Sequence, residues 1–234
     1  MNILFLGGSF TADGRLPEIF KKQYEIKYGE VCNVASRTFR QAKLCEHFIS
    51  KESRELLNFR NWDVVVLQEQ SKLPIDNPEE ALKSIMTWKE AIPRNTLLIL
   101  MMTWRRREDS ADCDRWAKHL DFFKKVHSAG VFVSPVGLAW EIYKGVFPRQ
   151  ELMEENSSHS SPKGAELSAI CLIESLSASA SASASASASA SASASASASA
   201  SEVRSDKWKS QPSGMQLSAV AAHKLFMECE NVIN

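Results

Sequence analysis

The stretch Asn2-Ile3-Leu4-Phe5-Leu6-Gly7-Gly8-Ser9-Phe10-Thr11 runs a short apolar segment into a glycine pair, a serine and, one residue on, a threonine. A brief β-prone segment that is apolar on both faces suits a strand buried inside a parallel sheet. The glycines at its carboxyl end permit a sharp turn that side chains would block. Ser9 then stands at the C-terminal edge of a sheet, where open α/β folds bind their ligands. There it is either a nucleophile or a simple cap of the next segment.

Working outward, Asp63-Val64-Val65-Val66-Leu67-Gln68 has the same two-faced apolar character and ends in the polar cluster Gln68-Glu69-Gln70-Ser71. Further strands are expected within Glu25–Ala35, at Thr96–Met102 and at Val131–Val133. Between them, helical spacing falls in Leu16–Tyr24, Thr38–Phe48, Pro78–Ala91, Asp112–Ala129 and Leu138–Tyr143, with Glu52–Phe59 as an extension or separate helix. Strands alternating with helices at about 30-residue intervals predict an α/β fold: a three-layer α/β/α sandwich on a five-stranded parallel sheet.

The C-terminal part shows no strand. A polar loop, Glu154–Ser161, leads to a helix over Pro162–Leu176, and a last helix lies near Gly214–Cys229. Between these two helices a Ser-Ala repeat runs from Ser177 to Ser201; lacking any large apolar residue, it cannot build a core. The expected organisation is an α/β domain over residues 1–176, a low-complexity linker over 177–201, and a helical segment over 202–234 that packs on the same domain. Pro162-Lys163-Gly164-Ala165-Glu166-Leu167-Ser168-Ala169 is echoed by Pro212-Ser213-Gly214-Met215-Gln216-Leu217-Ser218-Ala219. The echo has Lys209 where the first copy has His159.

Lys plus Arg equals Asp plus Glu at 28 each, so no global field draws the chain to nucleic acid or an anionic membrane. No run approaches the ~18 apolar residues of a membrane span. The first residues show no signal pattern, and the chain reads as cytoplasmic. The five cysteines are scattered without C-x-x-C spacing, which argues against a disulfide framework and a zinc site. No phosphate loop follows Gly7-Gly8, and no metal or cofactor is expected.

A serine nucleophile needs a base. His47, His119, His127 and His223 fall within helices and read as surface or interface residues. His159 lies in a loop directly before a helix, so it can be aimed back across the sheet at Ser9.

With these residues in place, a family resemblance emerges. Leu4-Phe5-Leu6-Gly7-Gly8-Ser9-Phe10-Thr11 resembles the first block of the SGNH (GDSL-type) hydrolases, especially the branch written G-N-S-F-T. His159-Ser160-Ser161-Pro162-Lys163-Gly164 resembles the last block, D-x-x-H-P-S-x-x-G. Val66-Leu67-Gln68-Glu69-Gln70-Ser71 resembles the third block, with glutamine in place of asparagine, and Met102-Thr103-Trp104 has the look of the same branch. The matches come in family order over residues 2–175.

The resemblance implies a flavodoxin-like sheet and a Ser–His ester hydrolase acting on a small-molecule or carbohydrate ester. Ser9 would be the nucleophile and His159 the base. The backbone N–H of Ser9, a second-block N–H from Ser36 or Arg37 and the side-chain amide of Gln68 would hold the oxyanion, with Ser71 and Trp104 near the substrate. Trp104 is either a pocket floor or core. Arg105-Arg106-Arg107 is either a recognition patch for an acidic substrate or a solvated loop.

The sequence departs from the family pattern at three places. Gly8 replaces an Asp or Asn, the second block lacks its glycine, and Asn156 stands where Asp normally orients the histidine. Either a backbone carbonyl or Glu154 or Glu155 takes over from that acid, or the protein is a weakened or inactive binder on the same fold. A flavodoxin-like nucleotide or phosphate binder using Gly7-Gly8-Ser9 is a third reading.

Overall fold

The computed structural model describes residues 1–109, 112–190 and 213–228. Five strands, β1 (Asn2–Gly7), β2 (Asn33–Thr38), β3 (Val64–Leu67), β4 (Leu97–Met101) and β5 (Phe132–Ser134), form one sheet. All are parallel, in the order β2-β1-β3-β4-β5. β1 pairs on one side through Leu4 opposite Ala35 and on the other through Leu4 opposite Val65. Ile3, Leu4, Phe5 and Leu6 are inaccessible to solvent, and Val64–Leu67 are buried throughout. Burying each such side chain favours folding by about 1.5–3 kcal/mol. This is why apolar runs with no alternation mark the sheet's centre.

The helices form two layers around the sheet. α2 (Leu16–Tyr28), α8 (Val136–Val146), α9 (Pro162–Ala190) and α10 (Ser213–Glu228) pack together in one. The other contains α3 (Leu44–Ile49), α4 (Lys51–Asn58), α5 (Leu73–Asp76), α6 (Pro78–Ala91) and α7 (Cys113–Ser128). A four-residue helix, α1 (Ser9–Ala12), follows β1 directly. The three-layer α/β/α architecture expected from the alternation is the one observed.

Three boundaries differ from the sequence expectation. The segment Glu25–Tyr28 continues α2 rather than starting a strand. Lys21 pairs with Glu25 and Tyr24 packs on Tyr28 at helical spacing, and Gly29 ends the helix at φ 69°. β2 therefore falls later, and Thr38 closes it instead of opening a helix, so α3 begins only at Leu44. The repeat differs as well: its residues Ser177–Ala190 extend α9. Residues 191–212, with the rest of the expected linker, lie outside the described residues. α10 packs on α8 and α9 through Met215, Ala219, Ala222 and Phe226.

The chain leaves β1 toward β2 in one direction and later resumes at β3 in the other. The crevice between the carboxyl ends of β1 and β3 is thus the topological switch point, where such sheets bind ligands. Ser9 follows β1 and Gln68 follows β3, so both flank it.

Candidate active site

β1 ends at Gly7, and the chain turns through Gly8 so that Ser9 becomes the first residue of α1. Gly7 has no room for a side chain: a Cβ there would lie 2.6 Å from Thr11 Oγ1 and 2.9 Å from Gln68 Cβ and Oε1. The Gln68 amide, itself buried, fills this space. Its Oε1 accepts from the Gly8 N–H (2.8 Å) and the Thr11 hydroxyl (3.0 Å), and its Nε2 donates to the Glu69 carbonyl. Ser9 is partly exposed, and its Oγ makes no hydrogen bond among the described residues.

His159 sits in a hairpin-like loop bridged at Met153 and Ser160, with Glu154 N–H donating to the His159 carbonyl (3.0 Å). Several side chains hold this loop from outside. Trp104 Nε1 donates to the Ser158 carbonyl (2.9 Å), and Arg107 donates to the Ser157 and Glu154 carbonyls. Ser160 Oγ donates to the Asp13 carbonyl (2.9 Å). At Gly14, whose φ is 74°, a Cβ would meet Ser160 Oγ at 2.5 Å. The Asp13-Gly14-Arg15 turn is therefore pressed against the histidine loop.

That docking supplies an acid. Asp13 Oδ2 lies 3.1 Å from His159 Nδ1, and the imidazole and the Phe10 ring stand perpendicular at a centroid distance of 5.8 Å. Asp13 closes α1, its N–H bonding to the Ser9 carbonyl. One short helix thus carries Ser9 at its start and the carboxylate that meets His159 at its end. Asn156 is exposed and adopts φ 55° in the turn that Ser157 N–H closes onto the Glu154 carbonyl. Asparagine tolerates that left-handed conformation. Glu154 and Glu155 are exposed as well, and neither meets the imidazole.

Other expected site residues fall as follows. Ser36 and Arg37 lie within β2, opposite Phe5 and Leu6, below the turn. The segment that covers Gly8 is later, Phe39–Ala42; the Gly8 Cβ position is 3.6 Å from Phe39 O and 3.7 Å from Ala42 N. Gln41 takes φ 58° there, in the left-handed region that glycine enters most readily. Ser71 Oγ accepts from Arg106 (2.9 Å), whose guanidinium lies over Phe10 at 5.9 Å. Arg106 also pairs with Glu108, and Arg105 faces Glu141 and the Trp116 ring, so the arginine run is engaged with the fold. Trp104 is 2% exposed, with Phe10 stacked at 4.4 Å and Trp140 at 4.0 Å. Both ring neighbours are protein, so Trp104 is core and offers no face to a substrate.

The helical histidines also differ from expectation: His47 and His119 are buried. His119 Nε2 meets the Thr103 carbonyl (2.9 Å), and burial pulls its pKa down to about 4. His223 bonds Ser175 Oγ at 2.7 Å. Among the described residues no cluster of three His, Cys, Asp or Glu side chains could hold a metal, and no helix is long and apolar enough to cross a membrane.

Glu69, beside Gln68, is 1% exposed. Its Oε1 accepts from the N–H groups of Leu44 (3.1 Å) and Gln70 (2.7 Å), while Oε2 has no partner among the described residues. Burial pushes its pKa up to about 7, and nearby Glu80 adds to the rise; the Gln70 and Leu44 N–H groups and Lys43 oppose it. The folded state therefore binds a proton that the unfolded chain has already lost, and stability from this group falls as pH rises from about 4.5 to about 7. Glu69→Gln keeps the acceptor and removes the charge. It is expected to gain up to ~3 kcal/mol more, relative to wild type, at pH 8 than at pH 5. Urea unfolding at both pH values measures this, and an equal difference at the two would refute it.

No protein-family model matches the chain, and no curated protein matches it either. Solved structures do. A protein assigned as an SGNH hydrolase, from Slackia heliotrinireducens, is 22% identical over 75% of this chain and 98% of that one, with a TM-score of 0.63. A DUF4886 family protein from Bacteroides uniformis is 16% identical over 97% of this chain and 95% of that one, with a TM-score of 0.61. An acetylxylan esterase from Geobacillus stearothermophilus, solved as a catalytic mutant, is 11% identical over 74% of this chain and 93% of that one, with a TM-score of 0.58. At these identities the likeness is one of fold: the chain has the fold of the SGNH hydrolases.

Proposed function

We propose that the protein is a serine ester hydrolase of the SGNH type, with Ser9 as nucleophile, His159 as general base and Asp13 as the acid that orients it. The observation that carries this reading is the contact between His159 Nδ1 and Asp13 at the switch point, on the helix that Ser9 begins. With Nδ1–H directed at the carboxylate, Nε2 is the basic nitrogen left for the serine proton. Ser9 Oγ attacks the ester carbonyl as His159 takes its proton. The tetrahedral intermediate collapses, the C–O bond breaks and the imidazolium protonates the leaving alcohol. Water, deprotonated by the same histidine, then releases the acyl group.

Donors for the oxyanion are the Ser9 N–H, the second hydrogen of Gln68 Nε2 and the N–H groups of Arg40 and Gln41. These last two make no hydrogen bond among the described residues and belong to the segment that covers Gly8. They replace Ser36 and Arg37 in the assignment. Each well-aimed donor contributes about 3 kcal/mol to such a transition state. The substrate is a small-molecule or carbohydrate ester, a class supported by the acetylxylan esterase among the structural neighbours.

p-Nitrophenyl acetate hydrolysis by the wild-type protein and by Ser9→Ala tests the reading. Loss of at least ~10³-fold in kcat is expected, and equal rates would sink it. A non-catalytic binding protein on the same fold is the second reading, favoured by the missing hydrogen bond at Ser9 Oγ. Catalytic hydrogen bonds are often long before substrate arrives. A fluorophosphonate probe separates the two: a stoichiometric adduct on Ser9 supports the hydrolase, and its absence supports the binder.

A further inference from the structure

Among the buried titratable groups that this chemistry does not use, one touches the nucleophile turn directly. His47, on α3, is fully buried. Its Nε2 lies 3.0 Å from the Gly7 carbonyl oxygen and its Nδ1 2.9 Å from Ser53 Oγ on α4, itself fully buried. A carbonyl only accepts, so Nε2 carries the hydrogen, and Nδ1 accepts from the Ser53 hydroxyl. Phe39 covers the ring at 4.2 Å. Burial holds the imidazole pKa below its usual value and Arg37 acts the same way, against the Gly7 carbonyl and Glu46.

The Gly7 carbonyl and the Gly8 N–H belong to one planar peptide group. His47 holds the oxygen on one side, and Gln68 Oε1 holds the N–H on the other, at 2.8 Å. This peptide joins two glycines, so its plane can rotate with little steric resistance from its neighbours. A rotated plane would withdraw the Gly8 N–H from Gln68 and change the direction in which the chain enters α1 at Ser9. Phe39 N–H reaches the same carbonyl at 3.4 Å, a longer bond that does not replace the His47 contact. We propose that His47 is a positioning residue that, together with Gln68, locks the Gly7–Gly8 peptide plane and thereby aims Ser9. The catalytic consequence rests on the hydrolase reading, whereas the conformational one does not.

The test compares the wild-type protein with His47→Gln, whose side-chain amide keeps a donor without a titratable ring, and His47→Leu, which keeps apolar volume without a donor. Amide hydrogen exchange is read over residues 7–12 against β3 as reference. Fluorophosphonate labelling and kcat and KM for p-nitrophenyl acetate are read alongside. His47→Leu is expected to speed exchange at residues 7–12 by about tenfold, the worth of one buried hydrogen bond, with β3 unchanged. It lowers the labelling rate and kcat by about tenfold or more at unchanged KM, and His47→Gln recovers most of both. Exchange at residues 7–12 as slow as wild type in His47→Leu overturns the proposal, and so does an equal loss in both variants. If the wild-type protein takes no probe, the hydrolase reading fails, and the exchange comparison still decides the role of His47. Should His47→Leu fail to fold, His47→Met carries the exchange test: it fills the site without a donor for the Gly7 carbonyl, faster exchange at residues 7–12 supports the proposal, and exchange as slow as wild type overturns it.

Discussion

Asp13→Asn is expected to lower kcat for p-nitrophenyl acetate by about 10³–10⁴ with KM little changed, the scale of loss when the acid of a serine-protease triad becomes an amide. The carboxylate accepts the Nδ1–H of His159 and stabilises the imidazolium formed as Ser9 attacks. An asparagine in its place can donate its own N–H to Nδ1. That leaves the ring hydrogen on Nε2, where a base must have a lone pair. Asp13 and His159 are each about one-third exposed, at 31% and 34%, so solvent screens part of the interaction. The lower end of the range is therefore the sharper expectation. Asn156→Gly, which preserves the left-handed turn, is expected to stay within about threefold of wild type. The double variant Asp13→Asn with Asn156→Asp is expected to remain as slow as Asp13→Asn alone, because residue 156 is exposed and the Nδ1 side of the imidazole is met by residue 13. Recovery in that double variant, or a large loss from Asn156→Gly, would return the orienting role to position 156.

What the sequence made legible follows from what burial leaves in it. β1 and β3 are covered on both faces, so Ile3–Leu6 and Val64–Leu67 are apolar without interruption, and the polar residues after them mark the crevice. β2 is an edge strand whose residues Asn33, Ser36 and Arg37 are exposed, so it carries no comparable signal, and the apolar pattern puts it too early, within Glu25–Ala35. The same shift puts the turn that covers Gly8 at Phe39–Ala42, beyond the Ser36 and Arg37 that the resemblance implied. Asp13 is legible as a carboxylate near Ser9, but its contact with His159 is not, for another reason. The family pattern places the acid beside the histidine in sequence, whereas the carboxylate that meets His159 here comes from the docking of the Asp13-Gly14-Arg15 turn on Ser160. Its one sequence trace is a carboxylate four residues, one helical turn, after Ser9. The first part of the Ser-Ala tract reads as a linker because it has no apolar periodicity. Alanine nevertheless propagates a helix already nucleated by Pro162–Leu176 at little cost, so α9 continues into it.

Trp104 brings stability and chemistry together, and its two substitutions are expected to separate them. Trp104→Ala empties the centre of the Phe10–Trp104–Trp140 stack and is expected to cost about 3–5 kcal/mol. For a domain of this size that lowers Tm by about 10–15 °C. Trp104→Phe keeps an aromatic ring between Phe10 and Trp140 and removes the Nε1–H that meets the Ser158 carbonyl one residue before His159. Its stability loss is smaller, about 1–3 kcal/mol, the penalty of an unsatisfied buried carbonyl plus some lost contact. Its effect on kcat is expected to exceed what that loss implies at a temperature where the variant is fully folded, because the loop that aims the base has lost an anchor. KM is expected to stay near wild type, since a ring flanked by Phe10 and Trp140 and 2% exposed does not meet the substrate. Thermal unfolding and steady-state kinetics on both variants measure this. If Trp104→Phe instead raises KM while leaving kcat alone, the ring belongs to the substrate pocket; if neither constant moves, the His159 loop is held without it.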